Sequence, residues 1–80
     1  MTLVQLRHLI ALAEGGSFSQ AAELCFVTQP ALSRSIQALE EELGALLFDR
    51  VGRQSILTPF GQEVLGRARV LIDEANDLRD

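Results

Sequence analysis

Residues 28–44 read TQPALSRSIQALEEELG, and the fold turns on this stretch. Thr28 is a favoured helix N-cap, because its hydroxyl accepts from a first-turn N–H that has no other partner. Pro30 falls in that first turn, where a missing N–H is no loss. Leu32, Ile36, Leu39 and Leu43 then recur at steps of four, three and four, which places them on one face of an α-helix. Gly44 ends the helix, since glycine accepts the left-handed conformation at a C-terminus. In projection the opposite side carries Pro30, Arg34, Gln37 and Glu41, with Ser33 at its margin. An ordinary solvated helix would show a Glu/Lys ladder there.

Working outward, the segment before this helix contains two more. Thr2 with Gln5 forms a capping-box pattern, followed by Leu3, Leu6, Leu9, Ile10 and Ala13 at helical spacing. Gly15-Gly16 stops that helix. Ser17 with Gln20 repeats the capping box and opens a short helix to about Cys25, with Phe18, Ala21, Ala22 and Leu24 available for packing. Two successive alanines predict close approach of another helix. Only CFVT separates the second helix from the third, which is the helix-turn-helix spacing. After Gly44, residues 46–58 (LLFDRVGRQSILT) place apolar runs on either side of a Gly-containing polar turn, a short β-hairpin. Thr58-Pro59 has the favoured cap-then-proline order and starts a last helix that continues to residue 80. The order is helix, helix, helix, hairpin, long helix: a mainly α winged helix-turn-helix over 1–58, followed by a linker helix over 59–80.

Composition narrows the function. Eighty residues make one small unit whose core is marginal without help from a partner. A hydrophobic fraction of 48% with 22% charged residues is globular rather than disordered. The single cysteine, Cys25, excludes an intrachain disulfide and a Cys-rich zinc site, and its apolar neighbours favour a buried small hydrophobe over a reactive thiol. No run approaches the roughly 18 apolar residues of a membrane span, and no signal pattern opens the chain, so the expected compartment is the cytoplasm. One histidine, His8, has no acidic or cysteine partner at motif spacing and reads as a surface or partly buried helix residue. With no Gly-rich phosphate loop and no metal-ligand cluster, the chain reads as neither an enzyme nor a holder of metal or cofactor.

The outer face of the third helix suits the major groove of DNA. Glutamine pairs with adenine, and arginine with guanine, through two hydrogen bonds each, and a proline offers an apolar surface to a thymine methyl. Thr28 and Gln29 stand at the positive end of the helix, which favours a phosphate. The competing reading is an exposed face with Thr28 acting only as a cap. Arg50 and Arg53 flank Gly52 in the hairpin turn, placed for backbone phosphates or a narrow minor groove. The net charge of −4 argues against this reading. Position answers part of that objection: residues 28–39 and 50–58 together hold Arg34, Arg50 and Arg53 and no acid. Glu40, Glu41 and Glu42 lie roughly 15 Å along the helix at 1.5 Å per residue, beyond the screening length of about 8 Å at physiological salt. Asp49 is a local exception. The candidate DNA-binding set is therefore Thr28, Gln29, Pro30, Ser33, Arg34, Gln37, Arg50 and Arg53. The alternative is a helical protein-interaction module that uses the same fold without DNA.

In the last helix Val64, Ala68, Leu71, Ala75 and Leu78 recur at coiled-coil intervals, widened by Leu65 and Ile72. One small body is a poor cover for so long a stripe, and a second copy is the simplest partner. Packing along its own domain or against a further C-terminal domain would also cover it. Gly61 and Gly66 weaken this helix by up to about 1 kcal/mol each relative to alanine. The stripe is still running at NDLRD, as in the front part of a longer chain.

The blocks SFSQAA, TQPALS, LEEELG, LFDR and LTPFG, in this order and spacing, resemble the N-terminal DNA-binding domain of LysR-type transcriptional regulators, over nearly the whole chain. The resemblance implies a winged helix-turn-helix with a dimerising linker helix. It also implies a C-terminal effector-binding domain outside this chain, where a small-molecule effector would bind, and dimers that pair into tetramers. Double-stranded DNA, a second copy and RNA polymerase are the expected partners. Thr28, Gln29, Pro30, Ser33 and Arg34 would face the major groove or its phosphates, Arg50 and Arg53 would belong to the wing, and Ala21 and Ala22 would seat the second helix against the third. Leu9, Ser35 and Ala38 depart from the common pattern, the last two by removing possible phosphate contacts.

Overall fold

The computed structural model describes residues 1–79, so only Asp80 of the predicted last helix lies outside the described residues. Helix α1 spans Leu3–Gly15. Thr2 caps it with the full reciprocal box: its hydroxyl accepts from the Gln5 N–H at 3.1 Å, and the Gln5 side chain accepts from the Thr2 N–H at 3.0 Å. Helix α2 spans Phe18–Cys25. Here only half of the predicted box forms, the Ser17 hydroxyl accepting from the Gln20 N–H at 3.2 Å. Helix α3 spans Gln29–Leu43, with Thr28 accepting from the Ala31 N–H and Gly44 in the left-handed region at φ 82°. Strands β1 (Phe48–Val51) and β2 (Gln54–Leu57) form an antiparallel hairpin with Phe48 opposite Leu57 and Arg50 opposite Ser55. Helix α4 spans Pro59–Arg79. The Thr58 hydroxyl starts α4 by accepting from the Gly61 N–H while donating to the Leu46 carbonyl.

The inward stripe of α3 is where the sequence put it: Leu32, Ile36 and Leu39 are buried and Leu43 half-buried. The hub of the packing is α1, which lies against α2, α3, α4 and β2. So many neighbours explain why its buried face is wider than predicted. His8, Ala11 and Leu12 are buried beside Leu6 and Leu9, whereas the predicted Leu3 is exposed. On α2, Ala21 and Ala22 are buried as expected, but Leu24 points outward, 58% exposed, because an eight-residue helix wedged between two others has only one inner edge. The α2–α3 turn contains no glycine. Phe26 takes the left-handed conformation itself at φ 56°, and its N–H closes on the carbonyls of Ala22 and Glu23. Burial pushes the half-buried Cys25 thiol above its usual pKa, in keeping with an inert side chain.

Gly61 and Gly66, alike in the sequence, differ in the fold. A Cβ on Gly61 would stand 2.1 Å from the Leu47 carbonyl oxygen, so the start of α4 crosses the chain leading into β1 where only a hydrogen fits. A Cβ on Gly66 would meet nothing within 4 Å. The core that results is continuous from α1 through α3 and the hairpin to Ala68 and Ile72 of α4. No helix among the described residues is long and apolar enough to cross a membrane.

Candidate nucleic-acid interface

The first half of α3 presents its polar side to solvent. Thr28, Gln29, Pro30, Arg34 and Gln37 are exposed and Ser33 is half-buried, the strip expected from projection. Arg34 has no ion-pair partner among the described residues. Ser35 lies off this strip. Its hydroxyl and the Nδ1 of buried His8 share a 2.7 Å hydrogen bond that ties α3 to α1. Ser35 therefore has a part-buried structural contact of its own. Burial lowers the His8 pKa, which favours the neutral ring.

The hairpin brings its arginines to the same side. Gly52 opens the two-residue turn at φ 63°, a conformation that glycine accepts without strain, and Arg53 follows it, exposed. Successive strand residues point to opposite faces. Arg50 thus shares the inner face with its cross-strand partner, the buried Ser55, while Asp49 shares the outer face with Ile56. The acid adjacent in sequence to Arg50 is turned away from it, which removes the local exception to the basic character of the wing. The Ser55 N–H donates to the Gly16 carbonyl at 2.9 Å, anchoring β2 on the α1–α2 turn. The Arg50 guanidinium carbon lies 4.3 Å from the centroid of the Phe18 ring.

These contacts make a shallow concavity lined by Phe18, Gln29, Pro30, Ser33 and Arg50, which continues past Ser19 towards Arg53. The structure therefore groups Gln29, Pro30, Ser33, Arg50 and Arg53. Thr28 and Arg34 belong to the adjoining exposed strip. Gln37 stands apart, lining a separate depression with Glu40, Glu41 and Leu46. Phe18 and Ser19 were not among the expected site residues. Phe18 read as a packing residue because its partner Arg50 is 32 positions away, and only the fold joins them.

Two of the three acids at the end of α3 are already engaged. The Glu40 carboxylate accepts from the Leu47 N–H at 2.7 Å and the Phe48 N–H at 3.4 Å, a clamp on the start of β1. Glu42 pairs with the amino terminus of Met1. Glu41 alone remains open to solvent without a partner among the described residues.

The stripe on α4 is divided. Ala68 is only 1% exposed within the single chain and is packed with Ile72 into its own core, unlike the other residues expected along the seam. The cause is the packing of α4 on α1, reinforced by the Arg7 guanidinium donating to the Asn76 side-chain oxygen Oδ1 at 3.3 Å. Val64 and Ala75 are half-buried, whereas Leu71 is 47% and Leu78 90% exposed. Beside this open flank runs a groove of about 400 Å³, lined by Leu6, Leu43, Phe60, Val64 and Leu71 among others.

Residues 3–62 match the family profile described as "Bacterial regulatory helix-turn-helix protein, lysR family". Among curated relatives, the "SDS degradation transcriptional activation protein" of Pseudomonas sp. is 57% identical over 77 residues, covering 96% of this chain and 25% of that protein. The chain thus spans about a quarter of that relative's length. Among solved structures, that of the CbnR_DBD-DNA complex superposes with a TM-score of 0.95 at 39% identity, covering 100% of this chain and 92% of that one. The BenM_DBD/benA site 1 DNA complex gives a TM-score of 0.92 at 40% identity, over 98% and 91% of the two chains. This winged helix-turn-helix chain belongs to the LysR family of bacterial regulatory helix-turn-helix proteins.

Proposed function

We propose that the chain binds double-stranded DNA sequence-specifically, as the N-terminal module of a LysR-type transcriptional regulator. The first turns of α3 enter the major groove, and the wing lies on the backbone or minor groove. The observation that carries this reading is the gathering of Gln29, Pro30, Ser33, Arg50 and Arg53 along one concave surface, with Asp49 turned to the other face of the hairpin, Glu40 and Glu42 engaged, and Glu41 left open further along α3 beside Gln37. Two solved relatives of the same fold are named as complexes with DNA, which supports it. The relatives are named for regulating transcription, which sets the reading against an enzyme. Thr28, Gln29, Pro30, Ser33 and Arg34 serve the groove and its phosphates, Arg50 and Arg53 the backbone; Gln37 is at most a margin contact. Replacing Arg34 or Gln29 by alanine should weaken binding to a duplex selected from a random pool by roughly 1–3 kcal/mol and relax preference at one base pair, read by gel shift. An unchanged shift for Arg34→Ala would put the reading face elsewhere.

Self-association belongs to the same proposal. The open flank of α4, at Val64, Leu71, Ala75 and Leu78, takes the corresponding helix of a second copy, and two reading helices then address two half-sites. In this reading the linker helix of residues 59–80 takes a role separate from 1–58, although Ala68 and Ile72 pack into the same core. Pairing of dimers, contact with RNA polymerase, a cytoplasmic location and an effector site in a further domain extend the proposal to the whole regulator. A protein-interaction module that ignores DNA is the competing use of this fold. Salt separates the two: phosphate contacts make affinity fall steeply with salt, and an apolar protein interface responds little.

A further inference from the structure

We infer that Phe18 is a positioning residue for DNA binding, acting through Arg50; the inference rests on the DNA reading above and deepens it. Two anchors converge at this place. The first is backbone: the Ser55 N–H is bonded to the Gly16 carbonyl, and Ser55 is the cross-strand partner of Arg50, so the strand segment that bears Arg50 is fixed against the turn that leads into Phe18. The second is the side chain itself, with the guanidinium carbon 4.3 Å from the Phe18 ring centroid. Phe18 is half-buried, packed against the core at one part and open to the concavity at another.

A ring holds a guanidinium in a way that a carboxylate does not. The attraction runs between the positive charge and the aromatic face, so the N–H donors are left for phosphate oxygens. No acid pairs with Arg50 among the described residues. An arginine resting on a ring also has less freedom to lose when DNA arrives, which favours binding without a new contact. Gln29, Pro30 and Ser33 line the same concavity, so the side chain is held beside the start of the reading helix, where the wing and α3 would share one stretch of backbone. The aromatic residue at position 18 is thereby explained at a place where any large apolar residue would satisfy the core.

The test uses the whole chain and a duplex that it selects from a random pool. Phe18→Leu should raise Kd about threefold to tenfold at low salt, Phe18→Tyr should restore it to within twofold, and Arg50→Ala should reduce the salt slope by about one. In the Arg50→Ala background Phe18→Leu should have no further effect; a residue that only packs would weaken both backgrounds equally, and that result overturns the inference. The unsubstituted protein offers a second measurement that does not depend on a variant folding. The Arg50 side-chain resonances should be shifted upfield by the Phe18 ring in the free protein, and unshifted resonances overturn the inference. A protein whose binding needs Arg50 but ignores Phe18→Leu loses this inference and keeps the DNA reading. One that selects no duplex loses both.

Discussion

Helices α3 and α4 carry apolar stripes of the same spacing, yet the two stripes have different fates. The stripe of α3 is covered by its own chain over Leu32, Ile36 and Leu39, and only Leu43 at its end is left half-buried at the groove beside α4. On α4, Ala68 and Ile72 go to the core while Leu71 and Leu78 stay open. Periodicity states that a face must be covered and does not name the cover. What distinguishes the two helices is how much is left over: α3 leaves only Leu43 partly open and keeps uncommitted polar groups on its opposite side, whereas α4 leaves Leu71 and Leu78 exposed.

The sharpest way to break this comparison is to cut each stripe. Leu39→Ala should cost about 2–5 kcal/mol of stability by urea unfolding, the range for emptying a closed core position. A loss below 1 kcal/mol would mean that the α3 stripe is not sealed. Leu71→Glu, by contrast, should leave the fold standing and abolish self-association in a sedimentation experiment; a persistent dimer would move the interface off this flank. Gly66→Ala should then stabilise the chain by roughly 0.5–1 kcal/mol, because the position is helical and nothing lies in the way of a Cβ. If the same change weakened self-association, Gly66 would lie in the interface. The smallest effect concerns the polar link between α1 and α3. His8 is held neutral by burial, so its pKa in the folded chain lies below the 6.5 of the unfolded one. The unfolded state therefore binds more protons below pH 6.5, and stability falls as pH drops from there towards the folded pKa. That part of the slope should vanish in His8→Gln, as read by urea midpoints across the range; an unchanged slope would mean that His8 titrates normally.

Local signals made most of the fold legible. Thr2, Thr28, Gly16 and Gly44 delimit helices because capping chemistry is local, and the α3 stripe follows from a short-range period. The exposed strip at Pro30, Arg34 and Gln37 came from the same projection. Contacts between residues far apart in the chain leave no local signal. Nothing near Phe18 in sequence indicates Arg50, and nothing near His8 indicates Ser35. The fate of Ala68 depended on how widely α1 would be covered, which the α4 sequence does not contain. Phe26 carries no such signal: a left-handed residue is marked by glycine or asparagine, and here an exposed phenylalanine takes that conformation in the turn between α2 and α3.

The Glu40 carboxylate joins the end of α3 to the amides that begin β1, and Gly61 lets α4 press on the carbonyl between them. Helix α3 and the hairpin are thus riveted at their common root and held as one piece. If the chain binds DNA as proposed, a duplex whose groove and backbone are out of step with that piece would have to bend or narrow to meet it. Sequences that deform easily would then be preferred even at base pairs that no side chain touches.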